Sequence, residues 1–259
     1  MESLRFHSRP GLRRPALVLA FSGWNDAGQC ATAAVRFVAE QLGATQFACI
    51  DPEEFYDFTV SRPHVRLVEG ARRAVEWVTF DFHAAVVSAI PRDYVFGWGP
   101  EPHLKWRTFT GLILQLVREC GAEMVVTLGG YLAEVVYTRP VPVTGFASDT
   151  DLLQRVDVGA TRYEGPTGIV GVLADACRSA GIASVSLWAA LPHYIAAAPN
   201  PRGTLALLLR LTDLLDLPVD LRPLQTEAAE FEQHVNEAVA ADAQLSAYVR
   251  ELKKRESSN

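Results

Sequence analysis

The chain has 259 residues, of which 49% are hydrophobic, and a formal net charge of −6 at pH 7. It can bury the core of one large domain, with or without an appendage. Three basic residues stand together only at Lys253–Arg255, so we expect no nucleic-acid partner. Charged residues interrupt the leucine-rich stretch Leu205–Leu217 well short of the roughly 20 apolar residues of a membrane span, so we expect a soluble protein with no membrane partner.

The cysteines and the first residues indicate a cytoplasmic protein. Cys30, Cys49, Cys120 and Cys177 are scattered without Cys-x-x-Cys spacing, which is typical of reduced core residues. The first ten residues mix charged and polar side chains and lack the apolar core of a secretory signal. No His/Cys cluster has metal-ligand spacing, so neither a metal site nor a cofactor is predicted.

The first structural unit combines an apolar run with a polar loop. The run Pro15–Phe21 predicts a strand buried on both faces, and Ser22–Gly28 leads into an amphipathic helix. Trp24, Asn25 and Asp26 then lie at the carboxyl end of a parallel strand, where open α/β sheets carry their sites. Asn25 or Asp26 also suits the N-cap of the helix, and both roles can hold together.

An amphipathic helix, a glycine and an apolar strand follow one another three times. The glycines are Gly43, Gly121 and Gly181, and each suits the left-handed position that ends a helix. The strands predicted after them are Thr45–Ile50, Met124–Leu128 and Ser184–Ala190. This alternation predicts an α/β fold with a largely parallel sheet.

The sequence pattern changes near residues 55–82. Asp57–Val60, His64–Val68 and Val75–Phe82 are short, aromatic or β-branched, and predict a small antiparallel excursion. Tyr94–Trp98 then resumes the main sheet. We therefore expect one α/β domain over residues 1–217, followed by a helical extension over 218–259.

The extension carries a heptad-like apolar seam, which predicts one long helix in need of a partner helix. Its members are Leu224, Ala228, Phe231, Val235, Ala238, Asp242, Leu245, Val249 and Leu252. The Leu205–Leu217 helix of the same chain would leave one end of the seam uncovered, so the pattern favours contact with another subunit. Asp242, the one polar member, is either a register device or a position rotated to the surface.

Several polar and small residues converge at the strand ends. The candidate ligand-binding residues are Gly23, Trp24, Asn25, Asp26, Gly129, Gly130, Pro166, Thr167, Gly168, His193 and Tyr194. Thr167 suits the cap of a helix, and Gly168 would leave its first amides open to a phosphate or a carboxylate. The alternative is a plain capped helix whose glycines allow close packing.

Catalytic candidates are few. His193 at a strand end is the best histidine for acid–base work, and Asp26 is the second catalytic candidate, yet a lone histidine is more often structural. No G-x-S-x-G elbow accompanies Ser22, so a hydrolase nucleophile is not supported. Trp24 and Tyr131 either stack a planar ligand or seal the core. The sequence therefore predicts a pocket but identifies no firm catalytic residue.

Four segments, in order and followed by a leucine-rich helix, resemble the proteasome assembly chaperone 2 family and within it the actinobacterial members. They are Phe21–Gly28, Leu128–Gly130, Gly165–Gly168 and Pro192–Tyr194, and the resemblance runs from about Pro15 to the C-terminal helix. It implies a three-layer α/β domain of the phosphorylase/hydrolase-like type, homo-oligomers, and protein partners such as proteasome subunits. It implies no reaction, and the function of the bacterial members is poorly defined.

Two functions remain open from the sequence. The first is a non-enzymatic assembly or interaction protein that uses the seam and the Leu205–Leu217 helix for contacts. The second is a phosphorylase- or hydrolase-like enzyme acting on a small nucleoside-like or carboxylate ligand through His193, Asp26 and the Gly165–Gly168 amides. An enzyme needs at least two titratable groups around one ligand position, so separate environments for Asp26 and His193 would speak against the second.

Overall fold

The computed structural model describes residues 3–68, 70 and 72–256. Its strands are β1 (Leu4–Phe6), β2 (Ala16–Ser22), β3 (Thr45–Ile50), β4 (His64–Val68), β5 (Arg72–Glu76), β6 (Phe80–Ala85), β7 (Tyr94–Pro100), β8 (Met124–Ala133), β9 (Val143–Ala147), β10 (Gly159–Ala160) and β11 (Ala183–Pro192). Its helices are α1 (Cys30–Gln41), α2 (Trp106–Cys120), α3 (Asp151–Gln154), α4 (Ile169–Ser179), α5 (Pro201–Leu215), α6 (Arg222–Ala241) and α7 (Ala243–Glu256). A 3₁₀ turn, Ala27–Gln29, precedes α1.

In the described part of the chain, nine strands form one sheet in the order β1-β3-β6-β7-β2-β8-β11-β9-β10. The four central strands β7, β2, β8 and β11 are parallel to one another. Antiparallel pairing begins outside them, at β6 on one side and at β9 on the other. The predicted α/β fold with a largely parallel central sheet is confirmed.

Helices cover both faces of the sheet. The side chains of β2 alternate between two cores, with Val18 packed beneath α1 and α5 and Leu19 packed beneath α2 and α4. Both side chains are wholly buried. An unbroken apolar strand is what such a two-faced position requires, because neither face meets water. The three-layer architecture follows directly from that strand.

The three predicted helix ends are present. Gly43, Gly121 and Gly181 have φ values of 62°, 65° and 68°, the left-handed conformation that glycine adopts at low cost. A strand begins within three residues of each one. The helix, glycine and strand pattern was therefore interpreted correctly.

The excursion near residues 55–82 is smaller than predicted. β4 and β5 form an antiparallel hairpin that belongs to its own two-stranded sheet, and β6 joins the main sheet instead. The strand predicted at Asp57–Val60 is wrong. The Asp57 carboxylate accepts hydrogen bonds from the amide and the hydroxyl of Thr59, which closes a turn there.

The predicted long C-terminal helix is broken in two at Asp242. The backbone of Asp242 is extended, and its carboxylate accepts hydrogen bonds from the amides of Gln244 and Leu245. Asp242 is therefore the N-cap of α7, and it lies exposed at the surface, as the second of its two expected roles predicts. The heptad-like spacing of the seam did not reveal the break, because the apolar residues continue at the same spacing across it.

The chain itself buries the apolar face of α6 and α7. Leu224 packs in the core beneath α5, while Val235, Val239 and Val249 cluster with Tyr137 from the segment after β8. Ala238 is exposed and its neighbour Val239 is buried in its place. The expectation that another subunit covers this seam is wrong.

The cysteines and the helices give two further observations. All four cysteines carry free thiols; Cys30, Cys49 and Cys177 are buried, and Cys120 is partly buried. Among the described residues, no helix combines the length and the apolar character that crossing a membrane requires.

Candidate functional site

One cavity borders the carboxyl ends of β2, β8 and β11 and the start of α4. Its volume is about 360 Å³, within the range of small-molecule sites. It is lined by Trp24, Tyr131, Thr144, Phe146, Thr161, Tyr163, Pro166, Thr167, Gly168, Gly171 and Trp188. We call it the aromatic cavity. It brings together four of the predicted ligand-binding residues, namely Trp24, Pro166, Thr167 and Gly168.

Hydrogen bonds and close packing fix the Trp188 ring in the wall of the aromatic cavity. The Trp188 indole donates to Ser186 Oγ at 2.8 Å, and Thr127 on β8 donates to the same oxygen. A Cβ at position 129 would lie 2.6 Å from the Trp188 ring. Gly129 therefore contributes by letting that ring lie flat across β8.

The outer rings of the aromatic cavity are open to solvent. Trp24 and Tyr163 are each 64% exposed. The Tyr163 hydroxyl donates to the Pro166 carbonyl at 2.9 Å, which holds this ring beside the loop before α4. Trp24 and Tyr131 thus line a cavity and do not seal the core.

The amino terminus of α4 already holds a carboxylate of the chain. Glu101, in the loop after β7, accepts a hydrogen bond from the Ile169 amide at 2.7 Å. The Thr167 hydroxyl donates to the Gly168 carbonyl and makes no cap. The structure therefore favours the capped-helix alternative over an open anion site, with Glu101 as the capping group.

Asn25 lies wholly buried beside this helix start. Neither its Oδ1 nor its Nδ2 has a hydrogen-bond partner among the described residues. A Cβ at position 168 would lie 2.5 Å from Asn25 Oδ1 and 2.6 Å from Glu101 Oε1. Gly168 is thus required for the approach of these two side chains.

Asp26 caps α1 from a buried position. Its Oδ1 accepts from the Ala31 amide at 2.8 Å, and its Oδ2 accepts from the Thr32 hydroxyl. Burial raises the pKa of the Asp26 carboxyl, although these hydrogen bonds act in the opposite direction. Gly130 packs against Cys30 beneath this turn, while Gly23, with φ of 108°, makes the turn after β2.

His193 and Tyr194 lie elsewhere, against the C-terminal helices. His193 is exposed, and its Nε2 lies 2.8 Å from the Tyr248 hydroxyl on α7. The Tyr194 hydroxyl donates to the Val135 carbonyl and accepts from the Tyr137 amide. Asp26 and His193 therefore occupy separate environments and do not act together at one ligand position.

The aromatic cavity has no charged lining residue, and no group of three or more His, Cys, Asp or Glu residues in the described chain could hold a metal ion. A model of the PAC2 family matches residues 20–239. The chain belongs to the PAC2 family. Among curated proteins, no significant match was found.

Solved structures support this membership. A PAC2 family protein from Streptomyces avermitilis MA is 45% identical with a TM-score of 0.84, over 91% of this chain and 99% of that one. A proteasome-assembly chaperone homologue from Mycobacterium tuberculosis is 41% identical with a TM-score of 0.83, over 90% and 99% of the two chains. PbaB from Pyrococcus furiosus, an archaeal proteasome activator, shares the fold at 19% identity and a TM-score of 0.71, over 91% and 97%. The actinobacterial resemblance is confirmed.

Sequence reasoning missed several residues around the strand ends of this PAC2 protein. Glu101 directly follows a strand of the parallel set, the same signal that pointed to Asn25, and it was overlooked. Tyr163 and Trp188 carry no motif and reach the aromatic cavity only through the tertiary fold. A second, more polar cavity of about 230 Å³ was also not foreseen, and its lining includes Ser22, Thr32, Arg36, Thr79, Asp81 and Trp98.

Proposed function

We propose that this PAC2 protein is a non-enzymatic assembly or interaction protein of the cytoplasm and that its partners are proteasome subunits. The family membership and the printed descriptions of its relatives support this class of partner. The observation that carries an interaction role is the exposed apolar face of the β4–β5 hairpin. The α5 helix and the seam of α6 and α7, which were expected to supply contacts, are largely buried within the chain.

The hairpin presents four large apolar side chains to solvent. Val65 lies directly opposite Val75, and Leu67 lies two residues along β4 on the same face. Trp77 directly follows β5, and its ring contacts that of Phe58. The exposed fractions of the four side chains run from 51% to 64%. We call Val65, Leu67, Val75 and Trp77 the hairpin face. Apolar clusters of this kind on a protein surface mark sites of protein contact.

The charges beside the hairpin face indicate an acidic partner surface. Arg66 on β4 pairs with Glu76 at 2.6 Å, whereas Arg72 and Arg73 on β5 are exposed. This local excess of arginine contrasts with the net charge of −6 for the whole chain. Complementary charge around an apolar centre speeds encounter and fixes orientation at protein interfaces.

The geometry gives the enzymatic alternative little support at the predicted site. Asp26 is committed to capping α1, and His193 contacts α7. The aromatic cavity is lined by no histidine, lysine, carboxylate or cysteine, and its titratable side chains are the phenols of Tyr131 and Tyr163. The two candidate catalytic groups, Asp26 and His193, are not brought together at one ligand position there.

Co-expression with the proteasome α and β subunits of the same organism tests this proposal. A double variant, Val65→Ser with Leu67→Ser, should abolish co-purification with subunits or their assembly intermediates on native gels. Val86→Ser is the matched control, because Val86 is 61% exposed and lies outside the hairpin. Equal capture by the wild type and the double variant, or no capture by the wild type, would overturn the proposal.

Homo-oligomers stay a prediction, and the same variants address them. Light scattering of the wild type and of the hairpin double variant gives their masses in solution. A fall in mass that is confined to the double variant would assign the hairpin face to a second copy of this chain. The face would then not be the contact with proteasome subunits.

A further inference from the structure

We infer that the aromatic cavity binds a small, planar, uncharged heteroaromatic molecule by stacking. This site is separate from the hairpin face, since none of Val65, Leu67, Val75 and Trp77 lines it. The inference is therefore independent of the proposed partner proteins. It concerns binding alone and assigns no reaction.

The five aromatic rings around the cavity supply the attraction. Trp24 follows β2, and Tyr163 lies in the loop before α4. The other three rings lie on strands: Tyr131 on β8, Phe146 on β9 and Trp188 on β11. Flat aromatic ligands stack on such rings whatever their substituents, because every ring has a π face. Trp188 and Tyr163 are already held by hydrogen bonds to Ser186 and Pro166, so little freedom is lost when a ligand binds.

The polar groups of the cavity are uncharged. The Trp24 indole nitrogen and the hydroxyls of Tyr131 and Thr144 have no hydrogen-bond partner among the described residues, so each is available to an acceptor on the ligand. No lysine, arginine, histidine, aspartate or glutamate lines the cavity. Neutral carbonyl or ring-nitrogen acceptors fit this arrangement.

A second observation lies at the α4 end of the cavity. The wholly buried Asn25 amide makes no hydrogen bond within the described chain, and it contacts Gly168, which is part of the cavity lining. Buried amides are almost always paired, so an unpaired one beside a cavity calls for an explanation. The unpaired Asn25 side-chain amide lies behind Gly168 and is not itself part of the cavity lining.

The same end of the cavity disfavours anions. Glu101 occupies the amide of Ile169 at the start of α4, and its carboxylate lies beside Asn25 and Gly168. A ligand carboxylate or phosphate would meet this negative charge with no cation in the lining to offset it. The chemistry of the cavity therefore selects neutral ligands over the carboxylate ligand considered from the sequence.

Quinazolin-4-one, a neutral planar ring with a lactam edge, is the probe for the test. Binding is followed by saturation-transfer NMR and by quenching of tryptophan fluorescence. We expect a Kd of about 1 mM or lower for a molecule of this size. Caprolactam, which keeps the lactam but lacks the aromatic ring, and quinoline-4-carboxylate, which adds a negative charge, should both bind far more weakly.

Two exposed aromatic positions locate the site. Trp24→Ala and Tyr163→Ala should each weaken probe binding about fivefold or more, the loss typical of one stacking partner. Trp77→Ala is the matched control, since it removes an exposed tryptophan on the hairpin, and it should leave the Kd unchanged. Circular dichroism and the urea midpoint establish that each variant is folded.

Three results would overturn the inference. The first is no binding of quinazolin-4-one to the wild type at about ten times the expected Kd. The second is equal affinity for caprolactam or quinoline-4-carboxylate. The third is unchanged probe binding in both Trp24→Ala and Tyr163→Ala. None of these results bears on the capture of proteasome subunits, so the two proposals fail separately.

Discussion

The carboxylate of Glu101 accepts a hydrogen bond from the Ile169 amide across 68 residues of sequence. The contact joins the loop after β7 to the first turn of α4. It satisfies one of the amides that a helix start leaves unpaired and places negative charge at the positive end of the helix dipole. An intrachain carboxylate thus stands where the sequence suggested an external anion.

Glu101→Ala should lower the free energy of unfolding by about 1 kcal/mol, the usual loss for a removed helix cap. Glu101→Gln keeps an acceptor and loses the charge, so its effect should be smaller, about 0.5 kcal/mol. Urea denaturation of each variant measures both values. Glu230→Ala, at an exposed position of α6, is the control and should have almost no effect. A Glu101→Ala variant as stable as this control would show that the cap does not contribute.

Acid should weaken the fold through Asp93. This buried carboxylate accepts hydrogen bonds from Arg13, at its backbone amide and guanidinium, and from the Val87 amide. Burial opposes its ionisation, but these hydrogen bonds and the Arg13 charge outweigh burial and hold the pKa of Asp93 below its ordinary value. Its contribution is therefore complete above the unfolded pKa of about 3.9 and is lost as the pH falls through the lower folded pKa.

Asp93→Asn tests this linkage. The difference in unfolding free energy between wild type and variant, measured by urea denaturation at a series of pH values, should be constant from pH 7 to about pH 5 and shrink below about pH 4. Other carboxylates titrate in both proteins, so the difference isolates Asp93. A difference that stays constant down to about pH 2.5 would contradict the assignment.

The thiols should resist alkylation in the native protein. Burial raises the pKa of Cys120 and of Cys177 to about 11, and it also raises the pKa of Cys30 and Cys49. The reactive thiolate is therefore scarce at neutral pH, and the buried thiols are also shielded from the reagent. Mass spectrometry after iodoacetamide treatment should find the four sites unmodified in buffer and all modified in denaturant. Rapid labelling of any one site in buffer would refute this.

Local features of the fold were readable from the sequence. β2 follows from an apolar run that suits a strand buried on both faces, and Gly43, Gly121 and Gly181 end their helices because the left-handed conformation favours glycine. The strand and each helix end depend on about ten consecutive residues. No contact with a distant part of the chain is needed to predict these features.

Tertiary partners of the site were not readable in the same way. Trp188 lies across Gly129 because β11 and β8 are adjacent in the sheet. Glu101 reaches Ile169 because the tertiary fold brings the loop after β7 to the first turn of α4. The helix break at Asp242 was not predicted for another reason. The apolar period fits one continuous helix as well as it fits two helices that both pack on the domain, and a capping side chain decides between them.

Substitution of Asp242 tests directly whether its side chain caps α7. Asp242→Ala removes the acceptor for the Gln244 and Leu245 amides and should cost about 1 kcal/mol, with faster hydrogen exchange along α7. Asp242→Ser keeps a capping oxygen and should restore most of the protection. If the alanine variant matched the wild type in both measurements, the cap would be dispensable.

The C-terminal helices should be required for a stable fold of the single chain. Leu224 packs in the core with α5, and Val249 and Leu252 on α7 are also buried. Replacing a buried leucine by alanine costs about 2 kcal/mol or more, so Leu224→Ala should lower the urea midpoint markedly, while Ala238→Ser at an exposed position should not.

Deletion of residues 222–259 extends this argument to the whole extension. It uncovers the outer side of α5 and the side chains of Tyr137 and Ile195, which pack against α6 and α7 in the full chain. Apolar surface of that extent favours association, so the shortened protein should aggregate or lose cooperative unfolding. Light scattering and thermal unfolding followed by circular dichroism measure both outcomes. A shortened protein that keeps both the number of subunits and the melting temperature of the full chain would show that these helices contribute nothing to the core. A cleanly smaller oligomer with unchanged melting would instead place the seam between subunits, against the packing seen here.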